Sequence, residues 1–305
     1  MSITQFVRSR LSVKISLVLA VLLLVLTGAT ATVLTAHQTR QMEEMTLEKA
    51  RLAATIGARQ YGDVLDAAID SGLLTVGDVF DGALVEIRGF NWAGKPKYHT
   101  RYDAYTDRAV LAFQDKFLEY EDFIFAVGVD LKGYLPTHNS RFQKPITGIP
   151  EQDLAGNRTK RVFDDPVGAA AAKNVEPILL QVYQRDTGET LWDVSAPILV
   201  KGKHWGAFRI GVSLERIAAR KAALLRFLAV TFTLFALVTI VTMFLVVQRA
   251  MRPVVAITHA AEEISLGEGL DTPLRPSSTD EIGQLTAAIE RLRVSMKSAI
   301  SRLVG

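Results

Sequence analysis

Two long uncharged stretches stand out in the pattern of hydrophobic and polar positions. They cover residues 15–36 and 227–247, and each is bounded by basic or polar residues. At about 1.5 Å of rise per residue, either stretch is long enough as a helix to cross a hydrocarbon core of about 30 Å. The pattern therefore predicts two transmembrane helices. An alternative for the first stretch is a cleaved secretory signal, because basic residues precede it and Ala-Thr-Ala at 29–31 resembles a cleavage site.

Basic residues near the first stretch indicate the orientation of the chain. Arg8, Arg10 and Lys14 precede it and favour a cytoplasmic N-terminus, residues 1–14. The charges flanking the second stretch point the other way, but a segment as long as residues 37–226 crosses a membrane largely regardless of charge. We therefore expect a chain that crosses the membrane twice, with both termini in the cytoplasm and residues 37–226 as one external domain.

The segment after the second stretch has helical periodicity in two parts. Val254, Ile257, Ala261 and Ile264 form one apolar seam. A break rich in glycine and proline follows, and the second seam consists of Ile282, Leu285, Ile289, Leu292, Met296 and Ala299. Two short amphipathic helices cannot bury these seams alone, so the pattern predicts a homodimer that forms a parallel four-helix bundle.

The segment between the two stretches has mixed periodicity. Helices are predicted over residues 37–61, 67–80, 103–118 and 166–173. Strands are predicted over residues 123–129, 178–184, 191–199 and 205–212, with Asp-Leu-Lys-Gly at 130–133 turning the chain toward a further strand. The expected fold class is α/β, or α+β, with an antiparallel sheet of about five strands.

Composition narrows the possible functions. Hydrophobic residues make up 49% of the chain, the net charge is +3, and no cysteine is present. The balanced charge argues against nucleic-acid binding, and the missing cysteines exclude disulfides, thiolate metal sites and covalently attached haem. Neither a phosphate-binding loop nor a kinase or cyclase motif occurs. We therefore expect no enzyme activity, no metal and no cofactor.

The segment after the second stretch resembles the HAMP signalling module over residues 248–300, with residues 301–305 as a tail. The resemblance rests on Pro253, on Gly267 and Leu270 in the break, and on Asp-Glu-Ile-Gly at 280–283. An ordinary juxtamembrane coiled coil would explain the seams but not the glycines. The resemblance implies that a signal passes through Pro253, Ile257, Ile264, Gly267, Leu270, Glu281, Ile282 and Leu285.

Residues 37–226 resemble the single Cache domain, an extracytoplasmic relative of the PAS fold found in bacterial methyl-accepting chemotaxis proteins. The likeness rests on Lys-Tyr-His-Thr at 97–100, on residues 130–139, on Asn-Arg-Thr-Lys-Arg at 157–161 and on Phe-Asp-Asp-Pro at 163–166. It implies a receptor for a small periplasmic molecule. The resemblance also implies a location in the bacterial inner membrane, with residues 37–226 in the periplasm. Because residues 248–305 include nothing that resembles a chemoreceptor signalling domain, we expect output through a separate cytoplasmic protein, or alternatively a receptor that has lost its output half.

Polar and aromatic residues around the loop over residues 134–161 are the candidates for ligand binding. They are Tyr134, His138, Asn139, Arg158, Lys160, Arg161, Tyr183, Trp192 and Arg209. Their cations suit a carboxylate or a phosphate. Alternatively, Arg158 and Arg161 pair with Asp164 and Asp165 to hold the loop, and the aromatic residues belong to the core.

The leading hypothesis is a homodimeric, chemoreceptor-like membrane receptor that relays ligand binding to a cytoplasmic partner. The competing hypothesis is a regulatory or assembly subunit whose external domain binds a protein and senses no ligand.

Overall fold

The computed structural model describes residues 11–92 and 95–304. Most of the expected cytoplasmic N-terminus, residues 1–10, and Gly305 of the expected tail lie outside the described residues. The chain divides into two compact units, one of residues 36–225 and one of residues 1–35 with 226–305. Each unit is described by itself.

The helices and strands follow one another in a mixed order. The helices are α1 Leu11–Asp70, α2 Val76–Phe80, α3 Asp103–Ala109, α4 Leu111–Phe117, α5 Pro150–Gly156, α6 Pro166–Lys173, α7 Leu214–Ser265 and α8 Glu281–Val304. The strands are β1 Val85–Trp92, β2 Lys95–His99, β3 Phe123–Asp130, β4 Tyr134–Leu135, β5 Arg161–Val162, β6 Leu179–Gln184, β7 Thr190–Val200 and β8 Lys203–Ser213. The mixed fold class predicted from the sequence is confirmed.

The central sheet of residues 36–225 has four antiparallel strands in the order β3-β8-β7-β6. The expectation of five strands is wrong for the described chain, because β4 does not return beside β3. Tyr134 and Leu135 of β4 pair instead with Val162 and Arg161 of β5, in a separate two-stranded sheet. The hairpin of β1 and β2 was not predicted, since its strands are mostly exposed and carry little apolar alternation.

Helix α1 packs on one face of the central sheet through small side chains. Ala50, Ala54 and Ala58 are at most 3% exposed, and a Cβ on Gly57 would lie 2.2 Å from the ring of Phe208. Tyr61, one turn further on, stacks on Trp205 with ring centroids 5.2 Å apart. The small residues let the helix backbone approach the sheet closely, so the aromatic rings of β8 fill the interface.

The opposite face of the sheet carries a second apolar cluster. Phe125, Val127 and Val129 of β3 belong to it, together with Leu191 of β7 and Ala207 of β8. The alternation along β3 sends these side chains away from α1, because successive residues of a strand point to opposite faces. Loops and α6 cover this second face.

Three of the predicted helices differ from the observed ones in extent. The helix predicted over 37–61 continues the first apolar stretch without a break and reaches Asp70 as part of α1. The helix predicted over 67–80 is divided, because Gly72, with φ of +73°, separates α1 from α2. Thr75 is the N-cap residue of α2 and forms a capping box with Asp78. The helix predicted over 103–118 is interrupted at Val110. The helix predicted over 166–173 is observed with those bounds.

Both apolar stretches lie within long helices, α1 and α7, that are long and apolar enough to cross a membrane. Helix α7 continues past the second apolar stretch as far as Ser265, and Pro253 lies inside this helix. A connector with Gly267 and Gly269 at positive φ follows, and α8 then begins with Asp280 accepting hydrogen bonds from the amides of Ile282 and Gly283.

We predict that Gly206→Ala disrupts the pairing of β8 with β3. A Cβ at this position would lie 2.0 Å from the carbonyl oxygen of Val129 and 2.7 Å from the Cα of Asp130. Neither backbone atom can move without breaking the ladder, so the free energy of unfolding should fall by about 2 kcal/mol or more. Denaturant unfolding of the detergent-solubilised chain measures the change.

The matched control is Gly77→Ala in α2, where the added Cβ meets only the hydroxyl of Thr75 at 3.6 Å. This change should stabilise the chain by about 0.5 kcal/mol, because alanine loses less backbone entropy than glycine in a helix. Equal effects of the two substitutions would contradict the packing described for Gly206.

Candidate ligand-binding cavity

A small cavity lies between the second face of the central sheet and the loops that cover it. We call it the arginine cavity, and its volume is about 20 Å³. It is lined by Phe125, Val127, Leu135, His138, Arg158, Phe163, Tyr183, Arg185 and Arg209. Four apolar residues therefore form part of its wall, and three guanidinium groups, one imidazole and the phenol ring of Tyr183 form the rest.

The register of the sheet brings the strand residues of the cavity together. Val127 of β3 lies opposite Arg209 of β8, and Arg209 lies opposite Ser195 of β7. Cross-strand partners share a face, so Arg209 stands on the face that carries Phe125 and Val127. Tyr183 reaches the same face from β6. The centre of the sheet thus forms the floor of the cavity.

Residues from connecting segments complete the cavity. His138 follows β4, Arg158 follows α5, and Arg185 follows β6. The loop holding Arg158 is fixed by buried Lys97, whose Nζ donates to the Asn157 side chain and to the Thr159 carbonyl, each at 2.5 Å. Burial, with Arg161 and Lys160 nearby, lowers the pKa of Lys97 to about 8.

Each guanidinium at the cavity has a carboxylate partner. Arg209 Nε donates to Asp193 at 3.0 Å, and both side chains are fully or nearly buried. Arg185 Nη1 lies 2.5 Å from Glu189. Arg158 Nη1 donates to Asp186 at 2.7 Å.

Arg161, which does not line the cavity, shares the partner of Arg158. Its Nη2 lies 3.7 Å from Asp186, beyond hydrogen-bond distance. Arg158 and Arg161 therefore share one carboxylate.

Aromatic rings separate the guanidinium groups. Phe163 lies between Arg158 and Arg161, at 5.2 and 5.5 Å from ring centroid to guanidinium carbon. Phe125 lies near both Arg185 and Arg209, at 5.9 and 5.8 Å. A cation over an aromatic face is stabilised by the quadrupole of the ring, which partly offsets the cost of burying these charges.

Burial and the neighbouring charges shift the pKa values of the arginine residues at and beside the cavity. Burial and the neighbouring Arg158 lower the pKa of Arg161 to about 10, and the same two causes lower the pKa of Arg185. Burial acts to lower the pKa of Arg209, but Asp193, together with Tyr183 and Asp165, raises it above its usual value. Arg158 therefore disfavours the charged forms of Arg161 and Arg185. An anion bound near these groups would favour their charged forms.

His138 is neutral in this environment. Burial and the charges of Arg158 and Arg185 lower its pKa well below the usual range. Its Nδ1 accepts a hydrogen bond from the backbone amide of Asn139 at 2.8 Å. The proton of the neutral ring therefore sits on Nε2, so the imidazole adds a hydrogen-bond donor without adding a charge.

Four of the residues predicted from the sequence line the arginine cavity, namely His138, Arg158, Tyr183 and Arg209. Arg161 lies beside them through Asp186. The remaining contributors, Arg185, Phe125, Val127, Leu135 and Phe163, were not singled out from the sequence. Arg185 carried a usable signal, because a charged residue directly at the end of a strand commonly faces a site at the sheet edge.

Four other predicted residues serve the structure elsewhere. The Tyr134 hydroxyl bonds to Asp103 at 2.7 Å, and Asn139 accepts from the amide of Ala126 at 2.8 Å. Lys160 Nζ pairs with Asp107 and Asp103. Trp192 packs against the core on the α1 side of the sheet.

The alternative interpretation of the loop cations is wrong in its partners. Arg158 and Arg161 pair with Asp186, from the turn after β6, and not with Asp164 or Asp165. Asp165 instead caps α6 by accepting from the amides of Val167 and Gly168.

A wider space adjoins the arginine cavity. Its volume is about 490 Å³, and it shares Phe163, Tyr183 and Arg185 with the cavity. We call it the vestibule. Its rim carries the carboxylates of Asp164, Asp165 and Asp186 and the ammonium group of Lys95.

The connector between α7 and α8 is held to α8 by two charged side chains. Arg293 is 7% exposed and donates to the carbonyl of Leu270. Glu290 accepts from the amide of Leu274 at 2.8 Å and from Arg293 Nε at 2.8 Å. These contacts fix the connector against one face of α8.

The residues predicted to relay a signal occupy three environments. Ile257 and Ile264 are buried, at 9% and 2% exposure. Gly267 has positive φ, Leu270 supplies the carbonyl that Arg293 contacts, and Pro253 lies inside α7. Glu281, Ile282 and Leu285 begin α8, where Leu285 remains 43% exposed.

Comparison with protein families identifies the segment after the second apolar stretch. Residues 245–298 match the HAMP domain. The match agrees with the two helices, the glycine connector and the acidic start of α8, and it confirms the HAMP-like region predicted from the sequence. Two apolar helices, a mixed α/β domain between them and a HAMP region after them are the organisation of a transmembrane signal transducer.

Among curated proteins, no match was found. Several solved structures resemble part of the chain. They include the sensor domain of E. coli DcuS (20% identity, TM-score 0.26, 37% of this chain and 72% of that chain). A second is an extracellular ligand binding receptor from Desulfohalobium retbaense (15% identity, TM-score 0.31, 61% of this chain and 26% of that one).

A third is the extracellular domain of the putative histidine kinase vpHK1S-Z8 (14% identity, TM-score 0.25, 60% of this chain and 61% of that one). This chain therefore spans less than two thirds of the length of two of the three. The structural scores are too low for any of these likenesses to carry an argument about the ligand.

We predict that Asp193→Ala is strongly destabilising because it leaves the guanidinium of Arg209 buried without a carboxylate. The free energy of unfolding should fall by about 3–5 kcal/mol. The double variant Asp193→Ala/Arg209→Met should recover much of this loss, since it removes the unpaired charge. Denaturant unfolding of the solubilised chain measures all three proteins.

The control is Asp70→Ala, which removes an ion pair between Asp70 and Lys201. The side chain of Asp70 is 70% exposed. Solvent screens this pair, so its loss should cost less than about 1 kcal/mol. If Asp193→Ala were no more destabilising than Asp70→Ala, the buried pair would not have the importance assigned to it.

Proposed function

We propose that this protein is a homodimeric, chemoreceptor-like receptor of the bacterial inner membrane. A small periplasmic ligand binds in the arginine cavity, and the HAMP region passes the resulting change to a separate cytoplasmic protein. The observation that supports this proposal most directly is a cavity lined by three buried guanidinium groups on the same chain as a HAMP region. A sensor needs a cavity that can hold a ligand, and a relay needs a HAMP region or an equivalent module.

A continuous stretch of chain supports a route from the cavity to the membrane. Arg209 lines the cavity from β8, and β8 ends at Ser213. Helix α7 begins at the next residue, Leu214, and runs unbroken through the second apolar stretch. A shift of β8 that follows ligand binding at Arg209 would therefore act on the start of α7 with no flexible linker between them.

The exposed seam of α8 supports a dimer. Leu285 and Leu292 are 43% and 52% exposed, although they lie on the apolar stripe of the helix. A second copy that buries these side chains would complete the four-helix bundle, and a ligand would shift the balance between two packings of that bundle.

The competing function is an assembly subunit that binds a protein and senses no small molecule. The buried guanidinium groups count against it, because an interface with a protein would place such cations on an exposed surface. Both functions require the same passage through the membrane.

Site-specific labelling tests the proposed topology, and the absence of native cysteine removes any background. Thr187→Cys lies in the exposed turn after β6, and Ser298→Cys is exposed on α8. A membrane-impermeant maleimide should label Thr187→Cys in spheroplasts and Ser298→Cys only after lysis. The reverse pattern would place the sensor domain in the cytoplasm and sink the proposal.

Disulfide cross-linking in membranes tests the dimer. We expect Leu285→Cys, on the seam, to form a cross-linked dimer under mild oxidation. Val294→Cys is similarly exposed but lies on the opposite side of α8, and it should stay monomeric. Cross-linking of both variants at the same rate would indicate random collision and not a parallel bundle.

A further inference from the structure

We propose that the ion pair between Glu43 of α1 and Lys221 of α7 is a latch that holds the receptor in one signalling state, and that movement of β8 after ligand binding releases it. We call this pair the Glu43–Lys221 latch. The inference rests on the proposed function and adds a regulatory contact to it. Both residues belong to the unit of residues 36–225, so the latch is a contact within the sensor domain.

The latch lies where the sensor domain joins the two apolar stretches. Glu43 comes shortly after residues 15–36, and Lys221 comes shortly before residues 227–247. Lys221 Nζ donates a hydrogen bond to Glu43 Oε1. Because this contact ties the helix that enters the domain to the helix that leaves it, a displacement of α7 along α1 must stretch it.

The first two turns of α7 are also attached to the turn that precedes β3. Arg220 donates to Asp122 at 2.7 Å and to Glu121 at 3.0 Å, and Arg216 donates to the backbone carbonyl of Glu121. The amide of Ser213, the last residue of β8, donates to the carbonyl of Asp122 at 2.9 Å. The start of α7 is therefore fastened to the paired ends of β3 and β8 and moves with them.

The latch is the more easily broken of these two attachments. The side chains of Lys221 and Glu43 are 28% and 41% exposed, so water and salt screen their attraction. The side chain of Asp122 is 13% exposed, and the backbone bond from Ser213 reinforces its contact with Arg220. A displacement of α7 relative to α1 therefore opens the latch before it detaches α7 from the turn.

Neighbouring residues of α1 make Glu43 the preferred partner of Lys221. Arg40 and Leu47 lie about one helical turn before and after Glu43, on the same side of the helix. A slide of Lys221 toward Arg40 would bring two cations together. A slide toward Leu47 would place the ammonium group against a side chain that packs on the domain core. The latch therefore has one closed register and an open state, between which a ligand can shift the populations.

Charge reversal in the full-length chain tests the latch. Glu43→Lys and Lys221→Glu each place like charges together, whereas the double variant Glu43→Lys/Lys221→Glu restores an ion pair. Thr46→Cys reports opening, because Thr46 is 8% exposed and lies one turn beyond Glu43 on the same side of α1. In the detergent-solubilised chain, a maleimide should label Thr46→Cys at least about threefold faster in each single reversal and at the parent rate in the double variant.

The same charge variants in the Leu285→Cys chain test whether the latch controls the HAMP region. Each single reversal should change the rate of cross-linking in membranes by at least about threefold, in the same direction, and the double variant should restore the parent rate. Asp70→Lys is the matched control, because Asp70 also lies on α1 and pairs with a partly exposed lysine, Lys201. This control should leave both the labelling and the cross-linking rates unchanged.

Ionic strength provides a second measurement that needs no charge reversal. Added salt should speed the labelling of Thr46→Cys in the parent, because screening weakens a charged latch. The neutral double variant Glu43→Gln/Lys221→Gln has no charges to screen, so its labelling rate should not respond. If a single reversal fails to fold, this comparison decides the inference, and equal responses to salt would overturn it.

The outcomes separate the latch from the receptor function. A double reversal that labels as fast as the single ones would overturn the latch, because the effect would not come from pairing. Faster labelling of Thr46→Cys with unchanged cross-linking of Leu285→Cys would make the pair a structural contact and would also overturn the inference. If the parent Leu285→Cys forms no dimer, the proposed homodimer fails by itself, and the labelling of Thr46→Cys still confirms or overturns the latch.

Discussion

The burial of cationic side chains against one face of the central sheet is the constraint on which the sensor domain depends. Guanidinium groups are costly to remove from water unless carboxylates, aromatic faces or a ligand replace the lost hydration. Asp193, Asp186 and Glu189 supply the carboxylates, and Phe125 and Phe163 supply the rings. The loops after β4 and α5 must close over the sheet to bring these groups together.

The two faces of the sheet have different tasks. The face toward α1 is packed through alanines, glycines and stacked aromatic rings, so it holds the long helix rigidly. The other face carries the charges and the cavity. Strand β8 belongs to both, since Phe208 packs under α1 while Arg209 lines the cavity. The same strand therefore contributes side chains to the α1 interface and to the cavity.

Sequence patterns were most informative where the periodicity was long or where turn chemistry was explicit. The two apolar stretches, the HAMP-like helices and strands β6 to β8 follow from such patterns. Strand β4 was expected after the turn at 130–133, but its pairing with β5 was not. The hairpin of β1 and β2 and strand β5 were not predicted, because two-residue strands and exposed hairpins have no distinctive periodicity. The site was predicted in part: Arg158, Tyr183, His138 and Arg209 were recognisable as polar or aromatic residues near one loop, whereas Val127 and Leu135 look like ordinary core residues.

Local order along the chain was enough to predict two helices that could cross a membrane, a mixed domain between them and a HAMP region after them. Spans, seams and glycine breaks are properties of neighbouring residues, and they are visible wherever those residues are read in sequence. The partners of the buried charges are not local. Arg158 meets Asp186 across 28 positions and Arg209 meets Asp193 across 16, and only the register of the sheet and the path of its loops decide those pairings. The cavity exists because of them, so its charge and size could be known only from the folded chain.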